Sequence, residues 1–305
     1  MSNFYTRLRK AELHVHLEGS VEPETVLEIN PALDVASVRE KYHHTDFAGF
    51  IRSYVWINRQ LQTPAHYGLI ARRLLDRLAA ENVEYAEINL SVGVILWKEQ
   101  NFNGIFDALC EAAEGSALDV YWIFDAVRQF GAEPARRVAQ LAAERRDEGV
   151  VGFGIGGDEN AGPAGWFRDV FAWSIDQGLA IVPHAGETAG AESVWACINM
   201  GARRIGHGFR AADDPELVEY LRDRQIPLEL CLSSNVRTGS IPSLEAHPVR
   251  RLFDAGVPIT LNTDDPALFE TTMSKEFQIA AETFGFTEDE LRIIAENAFR
   301  YRLGV

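Results

Sequence analysis

Short β-type runs recur along this chain, and most are followed by a stretch with helical periodicity. That alternation constrains the fold more than any other feature. The runs cover 11–17, 83–90, 118–125, 150–155, 179–184, 203–207, 227–232 and 258–263. Between them, Ile70, Ala71, Leu74, Leu75 and Leu78 share one helical face, and Leu217, Val218 and Leu221 share another. Asp214-Pro215 reads as a helix N-cap and first helical residue. A helix starting at Val249 is expected to stop at Gly256. Thr287 and Glu290 read as a capping box ahead of Leu291, Ile294, Ala298 and Phe299. Strand–helix alternation predicts a parallel sheet. Eight such units predict an α/β fold closed as a single (β/α)₈ barrel spanning residues 1–305. The connection over 18–82 is much longer than the others, and it predicts a helical lid above the C-terminal ends of the strands.

Composition narrows the partners. The chain has 29 Lys+Arg against 45 Asp+Glu, a net charge of −16. Such a surface repels nucleic acid and anionic membranes, so neither is an expected partner, whereas a small nucleoside in a pocket is compatible with it. Cys110, Cys197 and Cys231 form no CxxC pair and no disulfide framework, which suits a reducing compartment. The first residues lack the apolar run of a secretory leader. No stretch approaches the roughly 20 apolar residues of a membrane span. The expected location is the cytoplasm.

Titratable residues gather at the C-terminal ends of the predicted strands, where barrel active sites are built. The first run ends in His14-Val15-His16-Leu17-Glu18. Strand alternation puts His14 and His16 on one face, where two neutral imidazoles can grip one ion. The fifth run ends in His184, with Glu187 just beyond, and the sixth ends in His207 between Gly206 and Gly208. The last is followed by Asp264-Asp265, paired carboxylates that call for a cation or a retained proton. Each ending alone is an ordinary polar strand edge or turn. Four of them at one barrel mouth point to a metal site. His14, His16, His184 and Asp264 would leave a position open for water, as in a catalytic centre. A metal there lowers the pKa of its water to roughly 7. Glu187 and His207 remain as acid/base groups. The residues therefore predict metal-assisted hydrolysis or hydrolytic deamination.

Six motifs stand in one order: HVHLEGS (14–20), GIGGDE (154–159), HAGE (184–187), RIGHG (204–208), SSN (233–235) and NTDDP (262–266). In order and spacing they resemble the adenosine deaminase family of the amidohydrolase superfamily, over nearly the whole chain. The resemblance implies attack of water on C6 of an adenine ring, with release of ammonia and one zinc ion per chain. It implies zinc ligation by His14, His16, His184 and Asp264. Glu187 matches the residue that protonates N1, and His207 the residue that orients the attacking hydroxide. Gly157 matches the glycine whose N–H faces N3, and Asp265 the residue that meets N7. N7 only accepts hydrogen bonds, so Asp265 is expected to hold a proton.

One motif departs from the adenosine-specific pattern. Those enzymes carry HxHLDG, where the aspartate meets the ribose 5′-hydroxyl; here Glu18 occupies that place. Adenine deaminases of the family carry a glutamate there, but with RIDHG, whereas this chain has Gly206. A third subgroup deaminates 6-aminodeoxyfutalosine, an adenine nucleoside extended at its 5′ end on a route to menaquinone. Its members look similar in GIGGDE and in the run EINLSVGVILW (87–97). Phe47, Phe50, Tyr54, Trp56 and Trp97 could wall such an extension, with Arg52 and Arg59 nearby. The three substrates stay open on the sequence. Binuclear amidohydrolases use a bridging lysine carbamate, and no predicted strand holds any of Lys10, Lys41, Lys98 or Lys275. The PCxxC pattern of cytidine-type zinc deaminases is absent.

Overall fold

The structure is a computed structural model and describes residues 4–304. The strands are β1 (Lys10–His16), β2 (Val83–Leu90), β3 (Asp119–Val127) and β4 (Val150–Gly156). They continue with β5, in two pieces (Ala180–Ile181 and His184–Ala185), then β6 (Ile205–His207), β7 (Leu228–Leu230) and β8 (Ile259–Leu261). All neighbours are parallel, from β1 to the first piece of β5 and from its second piece to β8. Two junctions complete the circle. At the first, Val182 N–H donates to Phe153 O (3.0 Å) and Gly206 N–H to Pro183 O (2.9 Å). At the second, Val15 bridges Asp264 in parallel. The expected (β/α)₈ barrel is therefore the fold.

The fifth run is read from sequence as one strand, and the structure divides it. Pro183 lacks an N–H, so a ladder bond is lost there and the pairing breaks. Lys10 is also inside β1, not before it. Its aliphatic stem is buried, and its ammonium donates to the carbonyls of Tyr5 (2.7 Å) and Leu8 (2.8 Å), at the end of the barrel away from the histidines. An apolar stem with a carbonyl-capped head lets lysine open a buried strand.

The outer helices follow the expected signals. Asp214 caps the Pro215–Arg224 helix by accepting from Leu217 N–H (3.3 Å). The Val249–Asp254 helix ends before Gly256. The capping box of Thr287 and Glu290 opens the Glu288–Tyr301 helix. Leu291, Ile294 and Ala298 face the core, while Phe299 is half-buried beneath the Arg9 guanidinium, 3.7 Å from its ring centre. Between β1 and β2 lie the helices Pro23–Ile29, Val35–Glu40, Phe47–Gln60 and Pro64–Ala80. Asp46 caps the third, accepting from Gly49 N–H at 2.6 Å, and Thr63 with Pro64 opens the fourth. The fourth buries Ile70, Ala71, Leu74, Leu75 and Leu78 and packs on β2 and the Phe102–Glu114 helix. It is thus the outer-ring helix of the first βα unit. The third reaches the mouth of the barrel. Among the described residues no helix is long and apolar enough to cross a membrane.

β4 reads VVGFGIG because it is threaded past a side chain of β3. A Cβ on Gly154 would lie 2.7 Å from Asp125 Oδ1 and 2.9 Å from the carbonyl of Val182. The carbonyl belongs to the backbone and has no room to retreat. Gly154→Ala is expected to lower stability by about 1–3 kcal/mol, read from the urea midpoint.

Candidate active site

Backbone hydrogen bonds at the β1–β8 seam assemble the centre. His16 N–H donates to Asp264 O (2.7 Å), and Asp264 N–H to His14 O (2.9 Å). Glu12, fully buried on β1, accepts from Thr263 Oγ1 (2.7 Å) and Thr263 N–H (3.2 Å) and so ties the seam together from below. The second piece of β5 brings His184 beside them: His16 Nε2 and His184 Nε2 are 3.0 Å apart. Asp264 Oδ1 lies 3.5 Å from His14 Nε2 and 3.3 Å from His16 Nε2. One donor atom from each of His14, His16, His184 and Asp264 falls within 4.8 Å of all the others. Donors held about 2.0–2.2 Å from a tetrahedral ion lie about 3.3–3.6 Å apart, so the spacing suits a single metal.

The side chains fit an ion chemically as well. Burial keeps His16 neutral, down at about 4, and His184 well below its usual range. His14 Nδ1 is engaged by Glu229 at 2.8 Å, which turns Nε2 toward the cluster, where it is buried without a hydrogen-bond partner. A partnerless nitrogen inside a protein is costly unless a ligand meets it. Burial lowers His14, but Asp264 and Glu229 outweigh it and hold it up at about 10 without a metal. Burial favours the neutral form of Asp264, yet the histidines around it keep it ionised, well below the usual range. The alternative cluster of His207, Cys231 and Asp264 is a poorer fit. Burial drives the Cys231 thiol far up, and a protonated thiol is a weak ligand.

Above the donors opens a cavity of about 300 Å³. Glu187, His207, Asp265 and Gly157 line it together with His16, His184 and Asp264. Burial and the charge of Asp264 hold the Glu187 and Asp265 carboxyls well above the usual range. Asp264 and Asp265 thus divide their protonation states, one ionised and one neutral. Asp265 rests on Gly19, where a Cβ would come 1.6 Å from its Oδ1. His207 and Asp264 both adopt left-handed backbone (φ 59° and 62°), strain of the kind that collects at functional sites. Gly206 makes room for a protein ring, not for a ligand: a Cβ there would meet His14 Cε1 at 2.7 Å.

Glu18 departs from expectation. It is fully buried and does not line the cavity. Its Oε1 accepts from Ser91 N–H (3.1 Å) and its Oε2 from the hydroxyl of Tyr54 (3.3 Å). The longer side chain reaches past the cavity wall to these donors, so Tyr54 and Ser91 present the polar surface at that place. Of the aromatic residues singled out, Phe47, Phe50 and Tyr54 line the cavity. Trp97 is 68% exposed and stacks on the cavity residue Phe130, with ring centres 6.0 Å apart. Trp56, Arg52 and Arg59 line a neighbouring surface groove instead.

Several supporting residues escaped sequence reasoning. Glu159, the last residue of GIGGDE, accepts from the N–H groups of Gly186 (2.9 Å), Glu187 (2.8 Å) and Thr188 (2.8 Å). It holds the loop that presents Glu187. Arg128 donates to the carbonyl of His184. The SSN motif holds two more groups: Ser234 Oγ donates to Asp264 Oδ2 (2.6 Å), and Asn235 Nδ2 lies 3.1 Å from His207 Nδ1. The direction of that last bond follows from its neighbours. Val249 N–H donates to His247 Nδ1 (3.1 Å), so neutral His247 carries its proton on Nε2. That proton goes to Asn235 Oδ1 (3.1 Å), which leaves the Asn235 amine as donor to His207 Nδ1. Burial keeps His207 neutral, down at about 4, so its own proton sits on Nε2, facing the cavity. Asp125, at the end of β3, also lines the cavity, and its Oδ1 is buried without a partner. Arg128, Glu159, Ser234 and Asn235 follow strand ends within a few residues, and that was the available signal.

Comparison with known proteins agrees with this geometry. The adenosine deaminase family model matches residues 9–302. The chain belongs to the adenosine deaminase family. It is 36% identical to the aminodeoxyfutalosine deaminase of Streptomyces coelicolor, over 96% of this chain and 80% of that protein. It is 34% identical to the adenine deaminase of Rhizobium leguminosarum, over 95% of this chain and 93% of the relative. The crystal structure of adenine deaminase from Arthrobacter aurescens superposes with a TM-score of 0.90 at 27% identity, covering 97% of this chain and 94% of that one. As a member of the family, the chain is a deaminase-type amidohydrolase with a buried histidine–aspartate metal-binding group.

The state of His14 makes metal uptake dependent on pH. Below about 10 the metal-free protein keeps a proton that His14 must lose from Nε2 before it can ligate. Affinity for a divalent ion is therefore expected to rise with pH, by about tenfold per unit above neutrality. Titration calorimetry in buffers of different ionisation enthalpy should record about one proton released per ion.

Proposed function

We propose that the protein is a zinc-dependent deaminase that replaces the 6-amino group of an adenine nucleoside by oxygen and releases ammonia. The nucleoside carries an apolar extension at its 5′ end, of the 6-aminodeoxyfutalosine type, which puts the enzyme on a route to menaquinone in the cytoplasm. The observation that carries the chemistry is one cavity holding three neutral imidazoles, an ionised aspartate and two carboxyls that keep their protons. Those two carboxyls suit a purine, whose ring nitrogens N1 and N7 are both acceptors.

In this reading His14, His16, His184 and Asp264 hold the zinc. When bound, zinc acidifies a water to a pKa of roughly 7 and so provides a nucleophile at neutral pH. Glu187 donates its proton to N1, which withdraws electrons from C6 and opens it to attack. His207 directs its Nε2–H at the incoming oxygen and balances its charge. Asp264, ionised beside that oxygen, takes its proton, which then leaves with the amino group as ammonia. Asp265 donates to N7, and the N–H of Gly157 faces N3. Glu18 acts on the substrate through Tyr54, whose hydroxyl it orients.

The cavity wall supports the extended substrate. Beyond the polar floor it is built from Phe47, Phe50, Ile51, Val55, Val94 and Phe130. Trp97 continues this wall outward by stacking on Phe130. Free ribose would leave that apolar wall facing water, whereas an aryl-bearing 5′ group would cover it. The Phe47–Gln60 helix, in the 18–82 connection, acts as the lid. A second reading, adenine deaminase, is favoured by the glutamate in HVHLEGS and by the rhizobial relative.

Ammonia release from 6-aminodeoxyfutalosine, adenosine and adenine separates the readings. The 5′-extended nucleoside is expected to give the highest kcat/KM; a preference for adenine would overturn the nucleoside assignment. Trp97→Ala is expected to raise KM for the extended substrate and leave adenosine unchanged. Glu187→Gln is expected to lower kcat by about 10²–10⁴-fold. In the wild-type enzyme kcat/KM is expected to fall as pH rises through the elevated pKa of Glu187, because the N1 proton is then lost.

A further inference from the structure

Three of the buried charged residues that this chemistry leaves unused form one group beneath the metal donors, toward the N-terminal ends of the strands. They are Glu87 on β2, Glu229 on β7 and Arg204 just before β6, all with 0–1% exposure. Glu229 Oε2 meets His14 Nδ1 at 2.8 Å. Its other oxygen accepts from Arg204 Nε at 2.5 Å. Arg204 Nη2 donates to Glu87, and Nη1 to the carbonyl of Tyr301 at 2.9 Å. Glu87 Oε1 in turn accepts from the Tyr85 hydroxyl (2.6 Å) and from Leu303 N–H (2.5 Å), while Gly304 N–H donates to the Tyr85 oxygen (2.8 Å). An unbroken line of hydrogen bonds thus runs from His14 to residues 301–304.

Barrel interiors are ordinarily filled by layers of branched apolar side chains. Ions buried there are costly unless all are paired. Here each ion is paired, and two carboxylates face one guanidinium. The surplus negative charge favours a cation at His14. Glu229 also fixes the His14 ring, leaves Nε2 to the ion and makes it a stronger donor. Glu229 keeps that position because the rigid fork of Arg204 spans three partners, a geometry that lysine does not reproduce.

We infer that Arg204 and Glu229 form a positioning relay that couples the metal-binding geometry of His14 to the seating of residues 301–304. Metal affinity is then set partly from the opposite end of the barrel. The inference rests on His14 being a metal ligand.

The test uses the full chain as wild type, Glu229→Gln, Arg204→Lys and Tyr85→Phe. Three quantities are read: zinc affinity by competition with a chromophoric chelator, the visible spectrum of the cobalt(II)-loaded protein, and the thermal midpoint of the metal-free protein. Glu229→Gln and Arg204→Lys are expected to weaken zinc binding by about 10–100-fold and to alter the cobalt spectrum. Tyr85→Phe, which removes one hydroxyl far from the donors, is expected to weaken zinc by a smaller but measurable factor; it decides the matter should a charged variant not fold. Variants that lose thermal stability yet bind zinc as the wild type does would overturn the relay and leave a structural network. An effect in Arg204→Lys with none in Tyr85→Phe would overturn the link to residues 301–304. A wild type that binds no zinc would overturn the ligand assignment, and the relay with it.

Discussion

The seam between β1 and β8 is the constraint on which the site depends. Two backbone hydrogen bonds between Asp264 and the pair His14 and His16 close the barrel. The same two bonds set a carboxylate beside two imidazoles. Closure of the fold and assembly of the metal donors are therefore one event. The left-handed backbone of Asp264 follows from it, because the chain must leave the seam sharply for the side chain to turn inward. Glu12 and Thr263 hold this turn from beneath.

Around that seam the protein sorts protons by environment. Asp264 and Asp265 are neighbours in sequence and both are buried, yet they are driven in opposite directions. Asp264 faces histidines and stays charged; Asp265 faces Asp264 and keeps its proton. Glu187 follows Asp265 for the same reason. His207 is neutral, and the chain of Val249, His247 and Asn235 decides which nitrogen holds its proton. One site thus offers acceptors to an ion and donors to a heteroaromatic ring.

Much of this was legible in the sequence, for physical reasons. Parallel strands buried on both faces leave continuous β-type runs, so the barrel could be read from eight of them. Ligands at strand ends advertise themselves because polar groups there interrupt an apolar pattern. Pro183 broke a strand that periodicity drew as continuous, since periodicity counts side chains and not N–H groups. Glu18 was misplaced because a motif gives sequence position and not side-chain reach; its partner Ser91 is distant in sequence. Asn235, His247 and Glu159 act through other residues, and such partnerships exist only once the strands are side by side. Arg52 and Arg59 point away from the cavity on a helix whose rotation the sequence did not specify.

The wall of the cavity has a different origin from its floor. The floor is drawn from widely separated strand ends, whereas Phe47, Phe50, Ile51, Tyr54 and Val55 come from a single helix. Most of the apolar wall is thus written in one contiguous cassette, completed by Val94 and Phe130, while the reaction is written across the whole chain. Drift or recombination within that cassette can retune which nucleoside enters without disturbing a single metal donor. A family built this way can diversify its substrates and keep its chemistry.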